Sequence, residues 1–431
     1  MSDLKILIIY TAAYLMSYIT GRAELSALSA ICLTGAAAFF YLTEKKRTGE
    51  LLNLRGLMAL GILGGEGIAR LQLSNLSTVW TEATWISFYL FYLVFYVTSG
   101  FTEHVSNTIF STLKKKIHIN KKRNPELIFK IIIVSVMLIS WTAFIYEAVS
   151  LKFIPLFTVD TPHAYSYFHL KGIHYFTTLA VLVPGISVLY LEYRKKHNLR
   201  PDVISVTGLF LPLLLSVLLV SRFQFMFAAI LAVFAAVSSG RRYKLWQAVS
   251  IFVLMTAVYV TITIARAHSV EYLNGIFEMK NPDTPIFITQ PYMYIANNFD
   301  NFNVMTQELN IHSKGLRMLY PFLTLTGLKF INPDLAAGFP LFTTKEELTT
   351  VTLIYDAWYD FGLTGVMLFA LVLGGITGFI LFEHKKDTNP FAKLIYVELA
   401  FYFSVSFFTT WFSNPATWFY LGFSVLFYLI Y

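Results

Sequence analysis

The sequence is poor in charge. Asp, Glu, Lys and Arg make up 13% of its 431 residues, about half the share found in soluble domains. With 56% hydrophobic residues and a mean hydropathy of +0.60, a water-soluble fold of this size could not hide its apolar surface. Cysteine is nearly missing. Cys32 stands alone within an apolar run, which excludes a disulfide framework and a cysteine-based metal site. No stretch is long and polar enough for a separate soluble enzyme domain, so 1–431 reads as one integral domain. Internal repeats and low-complexity stretches are absent. So is a matched pair of interrupted apolar segments in two halves, a frequent device of transporters. The first apolar run, Leu4 to Thr20, lacks a small-residue cleavage site and leads at once into a second. It reads as a retained helix, not a removed signal.

What is present is a series of apolar runs. A helix needs about 20 such residues to cross the hydrocarbon core of a bilayer. By that measure the spacing predicts an all-α polytopic membrane protein with twelve spans: 4–20, 25–42, 57–73, 79–99, 127–150, 173–193, 203–220, 223–239, 245–265, 362–382, 390–411 and 415–431. Lysine and arginine orient them, because basic loops stay on the cytoplasmic face. Alternate connections carry Lys45, Lys46, Arg47 and Arg55; the 100–126 loop with Lys114 to Lys116 and Lys121 to Arg123; Arg194 to Lys196 and Arg200; Arg241, Arg242 and Lys244; and Lys385, Lys386 and Lys393. The intervening short loops hold only Arg22, Lys152, Lys171 and Arg222. Both termini are then expected in the cytoplasm. The net charge of +8 is explained by these loops and calls for no nucleic acid, with anionic lipid as the secondary reading.

On the opposite face the pattern places one long segment, 266–350, and two short pieces, Leu151 to His174 and the turn at Ser221-Arg222. Arg222 is the only charge between Val203 and Val237, so two spans fit there only if the chain turns at the outer surface. A guanidinium at that depth either reaches for the interface or clamps phosphate oxygens bidentately. Arg266 ends the ninth span on the same side, with His268 two residues later. Glu66 and Arg70 stand at i and i+4, where they can pair on one helix face or touch a substrate. Glu147, at the outer end of the fifth span, can face the site or water.

The piece LKFIPLFTVDTPHAYSYFHLKGIH offers Asp160, His163, His169 and His174 as proton-handling groups. The histidine spacing does not fit a metal site, and none is expected. In YMYIANNFDNFNVMTQELN, aromatics, amides and carboxylates recur at helical spacing. Sugar recognition uses such faces, since rings stack on aromatics and hydroxyls take hydrogen bonds; an interfacial helix uses them too. Tyr292, Asn298 and Asp300 are its candidate glycan contacts. TTVTLIYDAWYDFGLTG follows, with Asp356 and Asp360 on one face.

The outward IPLF (Ile154 to Phe157), the Ser221-Arg222 hairpin, the long late outer loop and the TTVTLIYDAWYDFGLTG exit together resemble the Wzy-type polymerases of bacterial surface polysaccharide. IPLF relatives carry an arginine a little downstream, where this chain has His163 and Tyr165. The resemblance implies a GT-C-like fold in the bacterial cytoplasmic (inner) membrane. It also implies an inverting glycosyltransferase without metal, nucleotide sugar or other cofactor. Its partners would be undecaprenyl-diphosphate-linked oligosaccharide donor and acceptor and the lipid bilayer, and a chain-length regulator stays open. An acceptor hydroxyl must lose a proton while the diphosphate departs. Arg222 and Arg266 are the candidates for the diphosphate. For the base the order is Asp160 and His268, then His163, Asp356 and Asp360. An O-antigen ligase shares this architecture and differs in its acceptor. A lipid-linked oligosaccharide flippase should instead carry ionisable groups deep across both leaflets.

Overall fold

A computed structural model describes residues 3–113, 124–158, 164–241, 244, 246–247, 250, 253, 270–332, 335, 338–386 and 388–431. Among these residues the regular elements are all helices, and the one β contact is an isolated bridge between Ser74 and Met279. In chain order, α1 (Asp3–Arg22) and α2 (Ser26–Thr48) form a hairpin. A bent run follows, with α3 (Leu54–Ala59), a π-helical turn (Leu60–Gly64) and α4 (Gly65–Ala69). Then come α5 (Glu82–Leu113), α6 (Pro125–Leu151), α7 (Ala164–Tyr167), α8 (Ile173–Thr178), α9 (Val183–Lys196), α10 (Val203–Leu218) and α11 (Arg222–Ser238). The later helices are α12 (Val270–Phe277), α13 (Ile286–Glu308), α14 (Leu316–Leu325), α15 (Leu328–Ile331), α16 (Tyr355–Lys385), α17 (Pro390–Ser404) and α18 (Pro415–Ile430).

Local chemistry sets several boundaries. Asn124 caps α6 ahead of Pro125, and Asp202 and Ser205 form a reciprocal capping box at the start of α10; both satisfy backbone donors that a helix start leaves bare. Gly49 ends α2 in the left-handed conformation, which a residue without Cβ adopts at little cost.

Among the described residues, six helical stretches are long and apolar enough to cross a membrane: α1, α2, most of α5, α6, the continuous run Ile173–Lys196, and α16. Three shorter apolar helices, α10, α11 and α18, add to them. The protein is therefore an α-helical chain of membrane-protein character. Of the twelve expected spans, six coincide with the long stretches and three with the shorter helices. Two of the remaining three differ. The run at 57–73 lies in a continuous helical stretch that contains the π turn and ends at Ala69. The run at 390–411 leaves α17 at Ser404. The run at 245–265 lies almost entirely outside the described residues.

The chain divides into two compact units. Unit 1 comprises Met1–Ile117, Ser269–Lys385 and Tyr402–Trp418; unit 2 comprises His118–His268, Lys386–Phe401 and Phe419–Tyr431. In unit 1, α16 lies against α5 with the backbones in close approach. A Cβ on Gly378 would sit 2.4 Å from the Ser99 carbonyl oxygen, and one on Gly374 would sit 2.8 Å from that of Phe95. Small residues four apart allow such contact between apolar helices. Near one end of this pair Arg55, 3% exposed, bonds Glu103 at 2.6 Å and lies 3.8 Å from Glu44. Lys385 also reaches Glu103. In unit 2, Arg194 bonds Glu126 at 2.6 Å and Asp202 at 3.0 Å, tying α9 to α6 and to the start of α10.

Candidate functional site

In unit 2 the end of α6, the segment after it and the α10–α11 turn share one apolar cluster. Phe144, Phe168, Ala180, Leu215 and Leu219 form its buried centre. Trp141, Ala148, Leu151, Phe153, Ile154, Tyr165 and Leu218 pack around them. Within IPLF, Pro155 is buried, while Phe157 is 70% exposed. The expected hairpin is present: α10 stops at Leu218, Val220 takes φ +53, Ser221 caps α11 and Arg222 is its first residue. A cation at a helix N-terminus opposes the helix dipole, so helix stability does not account for Arg222. It is half-buried, three residues beyond Leu219 of the cluster.

A carboxylate–imidazole pair lies on the chain segments that flank this cluster. Glu147 is wholly buried on the last turns of α6. Its carboxylate accepts from the Leu170 backbone N–H at 3.0 Å and from Thr177 Oγ1 at 2.6 Å. His174 Nδ1, on the first turn of α8, lies 3.2 Å from each carboxylate oxygen. The His174 side chain is 12% exposed, and the His169 ring lies 5.0 Å from it, centroid to centroid. The sequence shows Glu147 and His174 only as separate candidates. Their separation of 27 residues carries no periodic signal that could join them.

In unit 1, α13 carries the aromatic and amide pattern read as a glycan-contact face, and its polar groups point inward. Asn298 donates to the carbonyls of Tyr294 and Phe407 at 2.6 and 2.8 Å, and accepts from Thr350 Oγ1 at 2.6 Å. Asn301 donates to the carbonyls of Leu348 and Thr350, both at 2.8 Å, and accepts from the Thr344 N–H at 2.8 Å. Asp300 Oδ1 accepts from the Thr78 N–H at 3.0 Å, Thr78 Oγ1 at 2.7 Å and Trp80 Nε1 at 3.1 Å. Burial pushes the Asp300 carboxyl up to about 6 against the pull of those donors and of Arg70. Tyr292 accepts from the Leu73 N–H at 2.8 Å, and burial moves its phenol up to about 12. These side chains therefore hold the 73–81 and 344–350 segments onto α13. A helix that is polar and also buried needs such partners.

The expected Glu66–Arg70 pair does not form. Glu66 Oε2 accepts from Tyr14 at 2.8 Å. Arg70 follows the end of α4 and stacks over Trp80 and Trp85, 5.3 and 5.4 Å from their ring centroids.

Asp356 and Asp360 share a face as the spacing predicts, and both engage α14. Asp356 bonds Arg317, whose guanidinium lies 4.5 Å from the Tyr359 ring centroid. Asp360 takes Ser313 Oγ and the backbone N–H groups of Arg317 and Met318, at 3.1 and 2.9 Å. It thereby caps the start of α14, where negative charge is favoured. Beside it an apolar cavity of about 360 Å³ runs along α16 between Ala357 and Ile376, with Met318, Phe322, Phe412 and Trp418 also in its wall. Asp160, His163, Arg266 and His268 lie outside the described residues. No protein family, curated protein or solved structure matches the chain.

Proposed function

We propose that the protein is a polymerase of undecaprenyl-diphosphate-linked oligosaccharide repeat units, acting on the outward face of the bacterial cytoplasmic membrane. A growing glycan moves from its lipid carrier onto the terminal sugar of a new lipid-linked unit, by metal-independent inverting transfer. The observation that carries this reading is the apolar cluster of unit 2. It gathers Ile154 of IPLF and the turn leading to Arg222, two of the four features on which the resemblance rests. The six long apolar helices support a substrate delivered within a bilayer.

The chemistry fits that gathering. When the acceptor oxygen bonds to the anomeric carbon, the old bond to the diphosphate oxygen breaks and negative charge collects on the leaving group. A guanidinium offers paired donors for phosphate oxygens, and stabilisation of developing charge is a large part of catalysis. Arg222 fills that role, and Arg266 is its proposed companion.

The test uses purified protein and a synthetic lipid-diphosphate repeat unit, with products sized on a gel. A ladder of multiples is expected; single units after prolonged incubation would end the reading. Arg222→Ala should insert normally and leave cells with single-repeat surface glycan. Normal long chains in that strain would remove Arg222 from the mechanism.

A further inference from the structure

The geometry points to His174 as the general base that takes the proton from the acceptor sugar hydroxyl, with Glu147 as the residue that positions it. This rests on the glycosyl-transfer reading above. It replaces the sequence-based order, which put Asp160 and His268 first.

The argument begins with the proton. An ionised carboxylate only accepts hydrogen bonds. Glu147 faces Nδ1 with both oxygens at 3.2 Å, so the neutral imidazole carries its proton on Nδ1. The lone pair then resides on Nε2. Among the described residues no hydrogen bond reaches that nitrogen, and the side chain keeps 12% of its surface. Thr177 and the Leu170 N–H donate to the same carboxylate and fix its plane. A buried acid that holds one imidazole nitrogen sets the tautomer and steadies the imidazolium formed when the other nitrogen accepts a proton.

Placement adds a second line. Glu147 lies on α6, which gives Trp141, Phe144, Ala148 and Leu151 to the cluster of Leu215 and Leu219, and His174 lies on α8 between Phe168 and Ala180 of that cluster, so the pair and Arg222 are at the same end of unit 2. A proton acceptor and a phosphate clamp are the two groups the transfer requires. Among the described residues, the ionisable side chains near His174 include Tyr165 and His169, which precede α8, and Tyr420 of α18, which lies near Thr178, Tyr165 and Tyr175.

The step balances without further reagents. The acceptor O–H bond gives its proton to Nε2 as the oxygen bonds to the anomeric carbon. The bond between that carbon and the diphosphate oxygen breaks, and its electron pair leaves with the lipid diphosphate. The imidazolium then loses its proton to water.

The deciding experiment measures turnover of the synthetic lipid-diphosphate repeat unit by the full-length protein in detergent, across pH. Wild-type turnover should fall on the acid side as the imidazole protonates. His174→Gln should lower the rate by about 10²- to 10⁴-fold, with KM and melting temperature little changed. His174→Ala should recover with added imidazole, in proportion to its neutral form. Glu147→Gln should fall less and shift the acid limb. A His174→Gln rate within about threefold of wild type sinks the assignment, given that base catalysis contributes at least about 10²-fold. So does a His174→Ala loss that imidazole leaves unchanged, or a loss that tracks a lower melting temperature. Wild-type protein that makes no ladder removes the transfer reading, and this assignment with it; a wild-type ladder matched by His174→Gln removes the assignment alone.

Discussion

Asn301 in unit 1 and His174 in unit 2 are both polar side chains largely withdrawn from solvent, yet their bonding differs. Asn301 uses its amide on both sides, toward Leu348, Thr350 and Thr344. Asp300 likewise gathers Thr78 and Trp80 on one oxygen. His174 is held on one nitrogen only, among the described residues. Polar groups whose bonds all run to their own chain fix loops in place. A group held on one side keeps chemistry in reserve. The Asn-rich helix therefore reads as the frame of unit 1, and the Glu147–His174 pair as the working end of unit 2.

That contrast can be broken by substitution. The largest effect on stability should come from Asn301→Leu, which takes the side-chain partner from two part-buried carbonyls and one part-buried N–H. At about 1 kcal/mol net for each lost hydrogen bond, a loss on the order of 3 to 4 kcal/mol is expected, seen as a lower melting temperature in detergent. A change too small to measure would show that the 344–350 segment is held by other contacts.

Next in size is a pH effect at Asp300. Its carboxyl lies at about 6 in the folded chain against 3.8 for the free group. Between those values the folded state binds the extra proton, so stability should fall as pH rises from about 4 to about 6 and stay level above. A tenfold difference in proton affinity between the folded and unfolded chain is worth about 1.4 kcal/mol, so the drop is on the order of 3 kcal/mol. Asp300→Asn should flatten this dependence in thermal melts; an unchanged slope would assign it to another group. The smallest effect should be Ser221→Ala, which removes the cap of α11 at a cost of about 1 kcal/mol and should leave the unit 1 melting transition where it was.

The hairpin ahead of Arg222 is legible in the sequence because a lone arginine in a long apolar run leaves the chain little choice but to turn there. The helix over Tyr292 to Asn310 is legible as well, since its polar and aromatic residues recur at helical spacing. Its orientation is not. Spacing alone cannot tell amides that face sugar from amides that face a neighbouring loop, and the partners of Asn298 lie as far away as Phe407. Glu66 and Arg70 show the same limit in reverse. Their spacing permits a pair, but Tyr14 and the two indoles of Trp80 and Trp85 offer partners the local pattern does not contain. Glu147 and His174 are visible one by one and become a pair only through the fold.

The backbone break in α16 has a geometric consequence. Its 31 residues would reach about 46 Å as one straight rod, at about 1.5 Å each, against a hydrocarbon thickness of about 30 Å. Phe361 and Gly362 leave helical geometry, Gly362 at φ +59 and ψ −143, a conformation essentially reserved for glycine. The mismatch is relieved at that point, and the opening turn is released from the axis. Asp356 and Asp360 thus ride on a segment that need not cross the bilayer, and any side chain placed at 362 would tend to pull both carboxylates back into line with it.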